Sequence, residues 1–217
     1  KYDCNKEPTK GLKKFCIDQL DFIKFAEDSQ NEDPKLTPGM KQNIAKHRPE
    51  LECFNQTCVC KIVNSNCILK NGQKVQKAIQ ELRMLTDKER TDIFNVIKEM
   101  KKSGDYDYIA AIHKLAFVSG GSHYGSAFLV WHREYMKRFE ILLRKNNPTL
   151  ALPYWDSTLD GRLPNPADSI LFTDQFLGTT NSEGYVINGP FTPWKTIEGD
   201  PYISREVGKN GACFSEY

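Results

Sequence analysis

The sequence predicts a mainly α-helical protein, with a disulfide-rich N-terminal segment in front and a loop-rich C-terminal part behind. Three observations predict it. Apolar residues recur three and four positions apart between about residues 75 and 144, the period of a helix with one buried face. Six of the seven cysteines fall in the first third of the chain. Six prolines spread from Pro153 to Pro201, with many glycines, allow only short elements after residue 150. The chain thus divides at about residue 72, into a Cys-rich segment over 1–72 and a helical and loop portion over 73–217.

In the first segment, Leu12, Phe15, Cys16, Leu20, Ile23 and Phe25 suggest a short helix, and Pro34, Pro38 and Pro49 interrupt the residues after it. Cys4, Cys16, Cys53, Cys58, Cys60 and Cys67 form no zinc-type pair of CxxC motifs, and Cys58-Val59-Cys60 is too tight for one. Disulfides in a secreted protein are the simpler expectation. Asn55-Gln56-Thr57 is a glycosylation sequon that fits the same compartment, with Asn55 as the acceptor, though such tripeptides also arise by chance. Seven is odd, and distant Cys213 is the natural leftover thiol: free, paired within the cluster, or paired with another chain. The opening KYDCNKEPTK has no apolar stretch and is not itself a signal peptide, but is compatible with the remainder after one is removed.

The middle of the chain has a helical pattern. VQKAIQELRML places Val75, Ile79, Leu82 and Leu85 on one face. Thr86 with Glu89 three residues on is a capping box, and the helix it opens carries Ile93, Val96, Ile97 and Met100 before Gly104 ends it. Tyr106 to Phe117 reads as another helix, with Ile109, Ile112, Ala116 and Phe117 inward. Gly120-Gly121-Ser122 breaks to a loop, and a further helix from about Phe128 to Arg144 carries Phe128, Trp131, Tyr135, Phe139, Leu142 and Leu143 as its stripe. The near-neutral balance, net +2, gives no argument for nucleic acid or an anionic membrane, and no apolar run approaches a bilayer span.

Three of the four histidines, His113, His123 and His132, fall within twenty residues. His113 lies four positions from both Ile109 and Phe117, and His132 four from Phe128, so two imidazoles share the apolar faces of their helices. An unpaired buried polar group costs about 1–3 kcal/mol, which a shared metal ion would remove for all three. Three neutral imidazoles without a nearby thiolate or carboxylate suit copper or zinc. Spacing alone leaves open the other reading, structural histidines satisfied within the core.

The run from His123 through Trp131-His132-Arg133 to Glu140, followed by Pro153-Tyr154-Trp155-Asp156, resembles the first copper-binding half of the tyrosinase and molluscan-hemocyanin family of type 3 copper proteins, in its metazoan secreted form. Arg83–Arg90, Gly189–Trp194 and Ser204–Gly208 resemble that family's flanking segments, so the likeness covers roughly residues 75–210. It implies half of a tyrosinase-like four-helix copper bundle, with His113, His123 and His132 as ligands of one copper. Phe128 and Trp131 would pack around the site, and Arg133 and Asp156 would lock the loop after the helix as an Arg–carboxylate fork. Val130 stands where the family often has Pro, and Ser157 where it often has a bulky group. Gly121 stands where many relatives carry the Cys that is thioether-linked to the second histidine, so that link cannot form here.

A type 3 site needs six histidines and two coppers, whereas this sequence offers three at the site and His47 in a surface-like context. The expectation is therefore a second copper portion beyond this sequence, supplied by a companion chain or a C-terminal portion, and a chain stable only in its company. A fragment, or a protein that has abandoned the second site, would account for the histidine count as well. With both coppers, the resemblance implies oxidation of mono- or o-diphenols to o-quinones by O2. An oxygen carrier and a non-enzymatic secreted protein on the same fold are the alternatives.

Overall fold

The computed structural model describes residues 5, 38–46, 48, 51, 60–61, 79–118, 122–123, 126–205 and 213–214. Among them the protein is mainly helical, and β structure is confined to isolated bridges. Five α-helices follow in order: α1 Pro38–Ala45, α2 Asp87–Ser103, α3 Asp105–Val118, α4 Phe128–Asn146 and α5 Ser157–Asp160. The expected helix near Leu12–Phe25, the sequon at Asn55, and His47 lie outside the described residues.

Helix α2 begins where its capping box predicts. Thr86 Oγ1 accepts the Glu89 N–H at 3.3 Å, and Glu89 Oε2 accepts the Thr86 N–H at 3.0 Å. Gly104 closes it at φ 84°, a left-handed turn that a side chain would strain. Helices α1 and α2 pack on α3, and α2 also packs on α4. Ile93, Phe94 and Met100 of α2, Ile109 of α3 and Leu142 and Leu143 of α4 form the core, joined by Leu82, Leu85, Leu150, Leu171 and Phe176. Most of the stripes expected for α2 and α4 meet there, with Phe94 in addition, but Phe128 and Trp131 lie against the histidines instead.

One expected helix is not formed in its described part, from Ile79 onward. Residues 79–81 run into an isolated parallel bridge between Glu81 and Tyr154, and only a 3-10 turn, Leu82–Met84, comes after it. Leu82 donates to the Tyr154 carbonyl at 2.9 Å and Tyr154 to the Gln80 carbonyl at 3.0 Å. Leu82 and Leu85 are buried as their spacing suggests, but Ile79 is 59% exposed. The cause is tertiary. Glu81 caps the turn by accepting the Arg83 N–H at 2.6 Å, while the Arg83 guanidinium reaches Asp160 and the Asp156 carbonyl, both at 2.8 Å. These bonds hold the segment against the loop after α4 and override its helical propensity.

Arg48 and Leu51 dock on the same bundle. Arg48, buried, donates to Asp105 at 3.0 Å in the first turn of α3, and its guanidinium covers the Tyr108 ring at 3.9 Å. Leu51 joins the core, its carbonyl accepting from Arg138 of α4. Cys60 is disulfide-bonded, and Cys213 is a half-buried free thiol.

After residue 150 the chain is loop-rich, with α5 and two 3-10 turns, Pro166–Asp168 and Ile170–Phe172. It folds back over the helices through aromatic contacts. Phe191 meets Phe94 edge-on at 5.1 Å, and Trp194 meets Tyr106 at 4.9 Å. Gly178, at φ 90°, lets the Asn188 carbonyl approach to 2.3 Å from where a Cβ would stand. Arg205 ties off this layer by donating to the Gly178 and Leu177 carbonyls.

Candidate metal centre

His113 is carried by α3, His132 by α4, and His123 by the turn that leads from one helix to the other. Their ring nitrogens lie within 4.8 Å of one another, so one ion could contact all three. Ring centroids are 4.7 Å apart for His113–His123, 5.0 Å for His123–His132 and 5.6 Å for His113–His132.

The nitrogens are set up as donors. His132 Nδ1 lies 2.9 Å from the Phe128 carbonyl one turn earlier. A carbonyl only accepts, so Nδ1 carries the hydrogen and Nε2 keeps its lone pair for another partner. Nε2 of His113 and Nε2 of His123 are 3.1 Å apart. Two nitrogens bound at ~2.0 Å to one tetrahedral ion sit about 3.3 Å from each other, so this spacing fits a shared ion. Burial, followed by the charges of His123 and His132, lowers the pKa of His113; burial, then His132, lowers that of His123. Both shifts favour the neutral ring that a metal requires.

An aromatic wall surrounds the cluster. Phe128 tilts over His132 at 4.3 Å, Phe117 meets His123 edge-on at 4.8 Å, and Trp131 and Tyr135 lie 5.9 Å and 5.3 Å from His113. Trp131 and Tyr135 stack at 5.1 Å with 16° between their planes. The Tyr135 hydroxyl donates to the Ile109 carbonyl at 3.0 Å, joining α4 to α3. Burial, then neighbouring Tyr106, raises the Tyr135 pKa far above the ordinary phenol value, so it remains a donor. Tyr135 stands in the α4 stripe, but a stripe position does not disclose a hydrogen bond.

The expected fork between Arg133 and Asp156 is not formed. Arg133 is exposed on α4. Asp156 caps α5 instead, accepting from the Thr158 N–H at 3.1 Å and the Thr158 hydroxyl at 2.6 Å. Those bonds, led by the hydroxyl, lower its pKa. The guanidinium that locks the loop is Arg83, held by Glu81 and Asp160, while Trp155 Nε1 donates to the other Asp160 oxygen at 2.5 Å. Phe128 is 40% exposed and Trp131 half-buried, both against the histidines.

Helices that bring three imidazoles to one point inside an aromatic wall define a helical protein with a histidine cluster that could hold a metal ion. The family profile described as the common central domain of tyrosinase matches residues 103–216. The chain is 40% identical over 227 residues to the putative tyrosinase-like protein tyr-3 of Caenorhabditis elegans, covering 99% of this chain and 32% of that protein. It is 36% identical over 149 residues to tyrosinase-like protein 1 of Margaritifera margaritifera (66% of this chain, 29% of that protein). With the tyrosinase of Streptomyces glaucescens, identity is 33% over 140 residues (57% and 49%). The chain belongs to the tyrosinase family, and the family implies copper. It spans about a third of the length of the first two relatives. Among the described residues, no helix is long and apolar enough to cross a membrane.

Proposed function

We propose that this chain supplies the first copper position of an oxidoreductase that converts mono- or o-diphenols to o-quinones with O2. His113, His123 and His132 are its ligands, and further residues, on a companion chain or a C-terminal portion, hold the second copper. The convergence of the three imidazoles within 4.8 Å carries this reading. Bound there, copper supplies O2 binding and accepts electrons from the phenol.

The chain's own part is positional. The Phe128 carbonyl holds His132 in the tautomer that leaves Nε2 open. The low proton affinity of His113 and His123 keeps their lone pairs available near neutral pH. Phe117, Phe128 and Trp131 exclude water from the ring edges and give a planar phenol an apolar approach.

The first turns of α4 support the proposed second portion. Phe128, Leu129, Val130 and Met136 expose 40%, 76%, 71% and 51% of their surface, an apolar patch of the kind another protein surface covers. Disulfide-bonded Cys60 supports an oxidising, secreted setting, in which Asn55 would be open to glycosylation.

The test is copper stoichiometry and catechol turnover in the complete protein, wild type against His132→Ala. The variant is expected to lose one copper and all quinone formation. Full copper retention would refute the assignment, and reversible O2 uptake without turnover would refute the enzymatic part of it.

A further inference from the structure

The hydroxyl of Tyr135 makes a contact that the ligand set does not account for. It donates to the Ile109 carbonyl at 3.0 Å, across the seam between α4 and α3. Both ends of this bond lie one turn from a histidine. Tyr135 is three residues after His132, on the same face of α4. Ile109 is four residues before His113, so in an α-helix its carbonyl also accepts the His113 backbone N–H. A carbonyl has two lone pairs and takes both donors. The tyrosine ring itself lies 5.3 Å from the His113 ring, and Trp131, stacked on Tyr135, lies 5.9 Å from that same imidazole.

We infer that Tyr135 is a positioning residue for the three-histidine site: its hydroxyl pins the turn bearing His113 to the helix bearing His132, and its ring limits the swing of the His113 imidazole. This inference rests on the proposal that the three histidines are metal ligands. The physical need is specific. His113 and His132 sit on different helices, so the distance between them depends on how α3 and α4 stand lengthwise against each other. A lengthwise shift of an ångström would separate the two ring nitrogens, and apolar contacts, which are not directional, fix that register less sharply than a hydrogen bond does. A hydrogen bond is directional and short, so it selects one register.

The experiment titrates the complete protein with Zn(II) against a competing chelator, as wild type, Tyr135→Phe and Thr86→Ala, and records the ligand-field bands of a Co(II) probe in each. Tyr135→Phe removes one oxygen and none of the ring wall. It is expected to weaken Zn(II) about tenfold, the low end for residues that orient metal ligands, and to shift the Co(II) bands. Thr86→Ala, which removes a helix cap remote from the site, is expected to lower thermal stability while leaving affinity and spectrum unchanged. Tyr135→Leu, which removes the ring as well, is expected to lose more affinity than Tyr135→Phe. Affinity within twofold of wild type and an unaltered Co(II) spectrum in Tyr135→Phe would overturn the inference. A metal count that His132→Ala leaves unchanged from wild type would overturn the ligand reading beneath it.

Discussion

Arg83 Nη1 donates to Asp160 Oδ1 at 2.8 Å, joining residues 77 positions apart and closing the segment before α2 onto the loop after α4. Asp160 is 2% exposed and also accepts from Trp155 Nε1, so one buried carboxylate pairs with two part-buried donors. Removing it in Asp160→Ala takes this partner from the indole N–H and leaves Arg83 with Glu81 and the Asp156 carbonyl. Breaking a buried pair costs about 3–5 kcal/mol; the partial exposure of Arg83 brings the expected loss to about 2–3 kcal/mol, read from urea unfolding.

Arg133 offers the contrast. It is exposed and makes no ion pair with Asp156, so Arg133→Ala should change unfolding free energy by less than about 0.5 kcal/mol. A loss as large as that of Asp160→Ala would show that the arginine next to His132 anchors the loop after all.

Leu142 of α4 is fully buried in the core that α4 shares with α2. Leu142→Ala should cost about 2–5 kcal/mol, through lost transfer energy and the cavity left behind, with no large change in the denaturant slope. A smaller loss would mean that α2 and α4 close the gap by sliding together.

Glu198 accepts from Lys114, the residue after His113, at 2.9 Å and so ties the loop after Trp194 to α3. Burial pushes the Glu198 pKa up, but the Lys114 bond and local hydrogen bonds outweigh it, and the net shift is below 4.5. A depressed carboxylate adds stability above its unfolded pKa and loses it as pH falls through the folded value. Glu198→Gln should therefore melt slightly below wild type at pH 7, and the difference should vanish once the pH is well under 4.5. A gap that persists there would assign the effect to packing. The pair is half-exposed, so the gap should be small and shrink with added salt.

Much of the site could be read locally. The Thr86–Glu89 box, the left-handed Gly104 and the three-and-four spacing of Ile93, Met100, Leu142 and Leu143 all act within a helical turn or two. So does the placement of His113 and His132 on apolar faces, four residues from Ile109 and Phe128. For these features the amino-acid order was enough, because the groups that interact are already neighbours along the chain. What tertiary structure alone decided has partners far apart in sequence. Residues 79–85 have the spacing of a helix, yet the described part, from Ile79, forms a bridge and a 3-10 turn because Tyr154, Asp156 and Asp160 compete for its backbone and for Arg83. The arginine of the loop lock is Arg83 rather than Arg133, since reach to Asp160 depends on how α4 returns to the start of α2. The bond from Tyr135 to Ile109 likewise exists only once α3 and α4 have docked, and it lies one turn from each of the two helix-borne histidines.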